Sequence, residues 1–163
     1  EAGDVLVGWP SSGIHSNGLT LARRAATREH DYDDPFPLDE SRTVGEVLLE
    51  PTRIYAGLLD PMREAGVHAA AHVTGGGWTN LTRMGERRYV VDDPFAPHPV
   101  FEFVQSAGNV SDEEMYRTFN MGTGFVAAVS DEEATALAEE TNGRVLGHVE
   151  GGPEGVEIRG LEL

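Results

Sequence analysis

Three times along the 163-residue chain a short apolar run meets a cluster of glycine with serine, threonine or asparagine. These junctions limit the fold more than any other feature, because each fixes where a strand or helix must stop. Residues 4–9 (DVLVGW) read as a strand buried on both faces, ended by Pro10, which cannot donate to a sheet ladder. Residues 10–18 (PSSGIHSNG) follow, and Asn17 is placed to cap a helix over residues 18–29. The second junction runs from a strand at 69–73 through Thr74-Gly75-Gly76-Gly77 into a short helix near 79–84. The third, Phe119-Asn120-Met121-Gly122-Thr123-Gly124, leads from a helix into a strand at 124–129.

The remaining segments extend this pattern. Residues 31–40 are rich in aspartate and proline and read as a solvated loop. Helical pieces are expected at 44–49 and 54–65, divided by Pro51, with Pro61 forcing a kink or a fresh start at Asp60 and Gly66 closing the second piece. Residues 88–91 form a strand. Val100, Phe103, Val104 and Ala107 keep helical spacing up to Gly108. Two capping boxes, at 111–114 and 130–133, each put serine at the N-cap and glutamate three residues on. Residues 144–150 and 155–163 read as a hairpin-like pair joined through Gly151-Gly152-Pro153. Val156 and Ile158 share one parity and Leu161 and Leu163 the other, which predicts a bulge at or near Gly160. Strands and helices alternate irregularly, so an α+β fold, a mixed β-sheet covered by helices with a C-terminal β-hairpin, fits better than a doubly wound parallel sheet. Residues 1–163 form a single domain.

Charge narrows the partners. The formal net charge is −16, all twelve basic residues are arginine, and there is no lysine. Such a surface has no basic patch to neutralise phosphates, which argues against nucleic acid and against an anionic membrane. Molar salt shortens the Debye length to about 3 Å and silences such self-repulsion, so a salt-rich, halophilic cytoplasm is expected; an acidic mesophilic protein is the alternative. There is no cysteine, hence no disulfide and no thiolate chemistry. No signal peptide or membrane-length apolar run is visible, making the cytoplasm the default location. A start at Glu1, on the threshold of a strand, suggests one domain of a longer polypeptide.

The loops carry the chemistry. Ser11, Ser12, Gly13, His15, Ser16, Asn17 and Gly18 precede a helix, where unpaired N–H groups and the helix dipole favour an anion. His15 is suited to acid–base work or to polarising an oxyanion. The bland reading is a tight turn whose serine and asparagine cap the helix. His72 and Thr74 with Gly75, Gly76 and Gly77 would let a ligand approach the backbone and present a nest of donors; a sharp turn with a packed histidine is the alternative. Asn120, Gly122 and Gly124 are a weaker case, where a plain helix stop suffices. Arg53 can fork onto a phosphate or pair with the abundant carboxylates. The acidic runs read as caps and solvated faces, and no metal ligands are assigned.

Together these segments resemble the C-terminal domain of the aminoimidazole ribonucleotide synthetase (phosphoribosylformylglycinamidine cyclo-ligase) family, of halophilic archaeal type. The likeness is carried in order by Gly3-Asp4-Val5-Leu6-Val7-Gly8, Pro10-Ser11-Ser12-Gly13-Ile14-His15-Ser16-Asn17-Gly18, Leu48-Leu49-Glu50-Pro51-Thr52-Arg53-Ile54-Tyr55, His72-Val73-Thr74-Gly75-Gly76-Gly77, Pro99-Val100-Phe101 and residues 114–124. Trp9, Trp78, Thr123 and the acidic loop 31–40 depart from the pattern, and Trp78 beside the glycines would narrow a ligand channel. The resemblance implies an ATP-dependent enzyme of purine biosynthesis. ATP activates the formyl oxygen of formylglycinamidine ribonucleotide, an amidine nitrogen closes the imidazole ring, and phosphate leaves. It implies His15 as the catalytic residue and the other loop residues named above, with Arg53, as binding a phosphorylated substrate and nucleotide. It also implies ATP and Mg, held largely by an N-terminal ATP-binding and dimerisation domain outside this chain. The full-length protein would be a homodimer and the isolated chain inactive. The alternatives are a related ATP-using enzyme, of selenophosphate synthetase or thiamine monophosphate kinase type, or a non-catalytic nucleotide- or partner-binding domain.

Overall fold

The computed structural model describes residues 1–163 and is built on a seven-stranded sheet. In chain order the elements are β1 (Val5–Pro10), α1 (Leu19–Ala26), β2 (Pro35–Phe36), β3 (Asp39–Thr43), α2 (Val44–Leu48), α3 (Leu59–Glu64), β4 (Ala69–His72), β5 (Arg88–Val91), α4 (Pro99–Gly108), α5 (Asp112–Thr118), β6 (Thr123–Val129), α6 (Asp131–Thr141), β7 (Arg144–Glu150), β8 (Gly155–Ile158) and β9 (Leu161–Glu162). The main sheet runs β4-β6-β1-β7-β5-β8-β9, antiparallel throughout except for the parallel pair β5–β8. This is the mixed, helix-covered α+β sheet expected. No helix is long and apolar enough to cross a membrane.

Alternation along β1 divides the core. Leu6 joins Val126, Ala128, Leu146, Trp78 and Tyr89 on one face, while Val7 and Trp9 join Ala127, Val129 and the α6 residues Ala134 and Leu137 on the other. A third cluster lies among α1, α2, α4 and α5 and takes in Ile14 from the loop after β1. Fully burying a side chain of this size is worth about 1.5–3 kcal/mol, so Ile14 ties that loop firmly to the helices. Both unusual tryptophans are core residues. Trp9 donates to Thr141 Oγ1 and Trp78 to the Asn120 carbonyl, so Trp78 turns inward and leaves the glycine turn open.

Several local readings are corrected. Gly18, left-handed at φ 68°, occupies the N-cap of α1 with no side-chain cap, so Asn17 is released from that task. The acidic loop carries the small antiparallel ribbon β2–β3. Thr43 and Glu46 form a complete capping box that periodicity did not single out. Ser111 accepts from the Glu114 N–H, while Ser130 makes no side-chain cap bond. Residues 77–84 coil as a 3₁₀ helix, and a 3₁₀ turn at Ala56–Leu58 precedes α3, which starts afresh at Leu59. At the end of the chain β5 separates β7 from β8, and the hairpin is β8–β9. Its two-residue turn, Arg159 (φ 50°) and Gly160 (φ 83°), places both φ angles positive as tight hairpins require. The parity slip is therefore a turn and not a bulge.

Candidate functional site

The register of β6 assembles the site. Lying antiparallel between β1 and β4, it starts beside the ends of both: Pro10 faces Thr123, and His72 faces Phe125. The three glycine-rich segments thus meet at one end of the sheet although about 50 residues separate successive ones.

Asn120 binds them together. Its buried amide donates to the carbonyls of Gly13 (2.8 Å) and Ile14 (3.2 Å), and its Oδ1 accepts from the Gly122 N–H (2.9 Å). The side chain is fully occupied inside the fold, so it shapes the first loop and does not reach a ligand. Gly122 is likewise buried, against the Ala96 carbonyl. Gly77 (φ 54°) passes so close to the Tyr116 carbonyl that a Cβ would lie 2.1 Å away. Thr74 Oγ1 donates to Asn80 Oδ1, locking the turn that leaves Gly75 and Gly76 exposed. Asn17 Oδ1 lies 3.3 Å from where a Cβ on Gly75 would stand, so the first and second loops touch there.

The first loop is rich in free donors. No protein acceptor takes the backbone N–H groups of residues 13–18. Ser12 Oγ donates to the Pro51 carbonyl (2.6 Å) and accepts from the Arg53 N–H (3.1 Å), splinting the loop to residues 51–53. Ser16 Oγ, exposed, lies 3.3 Å from Thr52 Oγ1. Arg53 makes no ion pair with a carboxylate. Its guanidinium stands exposed over the Tyr55 ring, 5.7 Å from the centroid.

His15 is the strained and buried member. It adopts φ 62°, an uncommon conformation for a residue with a Cβ. Nε2 accepts from the Ser12 N–H at 3.0 Å, which assigns the ring proton to Nδ1, and that buried atom has no partner. Burial, reinforced by His72 and His98, depresses the His15 pKa to about 4. The imidazole is therefore uncharged at neutral pH. That removes the imidazolium acid from the two roles expected and leaves the neutral N–H donor. The His72 ring lies 6.1 Å away; burial lowers its pKa too, and its Nε2 is also buried and unpaired. Ser11 Oγ and Thr123 Oγ1 complete a set of buried, unpartnered polar atoms at this sheet end.

Two residues lay beyond the sequence reading. Tyr55 appears in the Pro-Thr-Arg-Ile-Tyr segment but carried no polar pattern of its own; its hydroxyl donates to the Pro10 carbonyl at 2.8 Å. His98, between two prolines, sets Nε2 2.9 Å from the Ser11 carbonyl, and no spacing announces that contact. No three acidic or histidine side chains converge where a metal ion would sit. The two largest cavities, each about 540 Å³, lie elsewhere, one beside His68 and Tyr89 and the other beside Tyr32 and Leu49. Neither is lined by His15 or His72. The donor set outweighs cavity size here, because it unites unpaired N–H groups, buried orphan atoms and an arginine that no carboxylate holds, its Nη1 donating only to the Pro10 carbonyl at 3.4 Å.

Comparison with known proteins bears on this arrangement. The family model for the AIR synthase related protein, C-terminal domain, matches residues 1–159. Phosphoribosylformylglycinamidine cyclo-ligase of Methanopyrus kandleri is 51% identical over 158 residues, covering 93% of this chain and 45% of that protein. The Thermoplasma acidophilum protein of the same name is 45% identical over 169 residues, covering all of this chain and 49% of its own length. The chain spans about half the length of the curated relatives it matches. Thiamine-monophosphate kinase from Stenotrophomonas maltophilia superposes with a TM-score of 0.60 at 18% identity, over all of this chain and 52% of that one. T. maritima PurL complexed with FGAR gives 0.53 at 18% identity, over all of this chain and 27% of that one. These two share the fold.

Proposed function

The chain belongs to the AIR synthase related family as its C-terminal domain, and from that premise we propose that it is half of a two-domain, ATP-dependent cyclo-ligase. The reaction is ring closure of formylglycinamidine ribonucleotide to aminoimidazole ribonucleotide in purine biosynthesis. The observation that carries this reading is the convergence of polar groups without protein partners, the N–H groups of residues 13–18 with the buried His15 Nδ1 and His72 Nε2, beside an Arg53 that no carboxylate holds. A ribonucleotide phosphate and a nucleotide both need such seats.

In the closure an amidine nitrogen attacks the formyl carbon while the formyl oxygen takes on charge and departs with phosphate. Neutral N–H donors held in place meet that developing charge without reorganising, the kind of contact whose loss costs about 100–1,000-fold in rate. His15 Nδ1–H has this character, since it is fixed by Ser12, buried and unpartnered. Mg²⁺ does not fit this chain by itself, for want of a ligand cluster; nucleotide phosphates and the other half of the protein would supply its seat. That other half would also build the homodimer and face these loops across a cleft. A cytoplasmic location and a salt-rich cell accord with the charge.

His15→Ala in the full-length enzyme tests the site. The expected result is a fall in kcat/KM of about 100-fold or more with the fold intact, and unchanged activity would remove His15 from the mechanism. The isolated chain is expected to show no turnover, and robust ring closure by it alone would overturn the divided site.

A further inference from the structure

We propose that Tyr55 is the positioning residue of the histidine pair: its hydroxyl, pinned on the Pro10 carbonyl, seats its ring as the wall that keeps water from His15 and His72. The Tyr55 ring stands edge-on to both, with centroids 5.4 Å from His72 and 6.4 Å from His15. Phe125 stacks on it at 5.4 Å and 27° and itself lies 6.0 Å from the His72 ring. The seat is cut to fit. A Cβ on Gly124 would lie 1.8 Å from the Tyr55 hydroxyl and 3.0 Å from His15 Cε1, so the tyrosine and the histidine share the space which that glycine leaves empty. Tyr55 is half-buried, and that burial raises its hydroxyl pKa to about 12, so it remains a donor to Pro10 at every working pH.

The wall has a chemical purpose. His15 Nδ1 and His72 Nε2 are both buried without partners. Charged, the two rings would repel; uncharged, they meet a ligand oxygen as directional groups. The titratable and charged groups facing the cluster are Arg53 over the tyrosine ring and His98 on the Ser11 carbonyl. Glu50, which underlies Gly13, is held in an ion pair with Arg42. No carboxylate therefore draws a proton onto the pair, and its neutrality depends on exclusion of water. What the neutral pair is for rests on the ring-closure reading; what keeps it neutral does not.

The test is a proton NMR titration of the six histidines in the 163-residue chain, comparing wild type with Tyr55→Leu and Tyr55→Phe. Tyr55→Leu is expected to raise the midpoints of His15 and His72 by a pH unit or more, at least tenfold in proton affinity, leaving His30 and His148 unmoved. Tyr55→Phe keeps the ring but loses its anchor on Pro10, so it should raise both midpoints by a smaller amount than Tyr55→Leu. A role confined to general packing would lower thermal stability without moving the two midpoints. Unchanged midpoints in folded Tyr55→Leu, or equal shifts in the leucine and phenylalanine variants, would overturn the proposal. If Tyr55→Leu does not fold, Gly124→Ala displaces the hydroxyl from the other side; it should raise both midpoints, and no change there refutes the seat. None of these readouts involves a ligand, so failure of the ring-closure reading would leave them standing and is detected separately by the activity of the full-length enzyme.

Discussion

Replacing His15 by glutamine should flatten the acid limb of the stability curve, and the structure gives the size of the effect. In the unfolded chain this imidazole takes up a proton near pH 6.5, whereas in the folded protein burial delays protonation to about pH 4. Between those values the unfolded state binds the additional proton, so stability rises with pH across the window. Above pH 6.5 neither state is protonated and His15 exacts no penalty. As pH falls toward 4 the penalty accumulates, and below 4 it is complete. At about 1.4 kcal/mol per pH unit, the window corresponds to at most about 3.5 kcal/mol, of which about 3 kcal/mol has accumulated by pH 4. Urea unfolding of wild type and His15→Gln at fixed salt, from pH 7 to pH 4, isolates this contribution, because the carboxylates act on both proteins alike. The gap between the two unfolding free energies should change by up to about 3 kcal/mol in favour of the variant as pH falls. Parallel curves would refute the claim that His15 is held neutral by burial.

Two further outcomes follow from the packing and the charge. Asn120→Ala removes three hydrogen bonds at the junction of the loops and should cost about 2–4 kcal/mol, with faster amide exchange around Gly13 and Ile14; a change below 0.5 kcal/mol, by an order-of-magnitude standard for surface substitutions, would mean the loops hold together without it. Thermal midpoints measured from low to molar salt should rise steeply, since a net charge of −16 repels itself until screened, and a flat series would remove the halophilic reading.

Most strands of the main sheet were legible because apolar runs and alternation survive in sequence, and β5, at 88–91, matches residue for residue; the β2–β3 ribbon was not, because Asp39-Glu40-Ser41-Arg42-Thr43 carries no apolar residue to alternate. The glycine-rich segments were legible as junctions for the same local reason. Their meeting was not. It depends on β6 entering between β1 and β4, a pairing of residues far apart in the chain. The same distance hid the division of labour inside the site. Asn120 and Gly122 share a loop with exposed-looking neighbours, yet Asn120 donates to the carbonyls of Gly13 and Ile14, and Gly122 packs against the Ala96 carbonyl with no room for a Cβ. At the C-terminus, β7 and β8 follow one another through a glycine turn and look like a hairpin, but β5 takes the place between them. Local turn chemistry gives the reversal, while the choice of neighbour belongs to the whole sheet.

The energetic cost of the site argues for its function independently of family. A buried polar atom without a partner costs about 1–3 kcal/mol, and four such atoms, Ser11 Oγ, His15 Nδ1, His72 Nε2 and Thr123 Oγ1, gather at one end of one sheet. At the opposite end of the same strands the polar groups are matched: His68 Nδ1 sits on the Asp4 carboxylate at 2.9 Å, and the His68 N–H donates to Ala128. Strands able to satisfy their polar groups at one end and not at the other are not badly packed. The unsatisfied end is also where His15 is held at a positive φ. A ligand that supplies oxygen atoms there would satisfy the unpartnered atoms, and the strained backbone persists because Asn120, Tyr55 and Ile14 hold the loops in place before any ligand arrives.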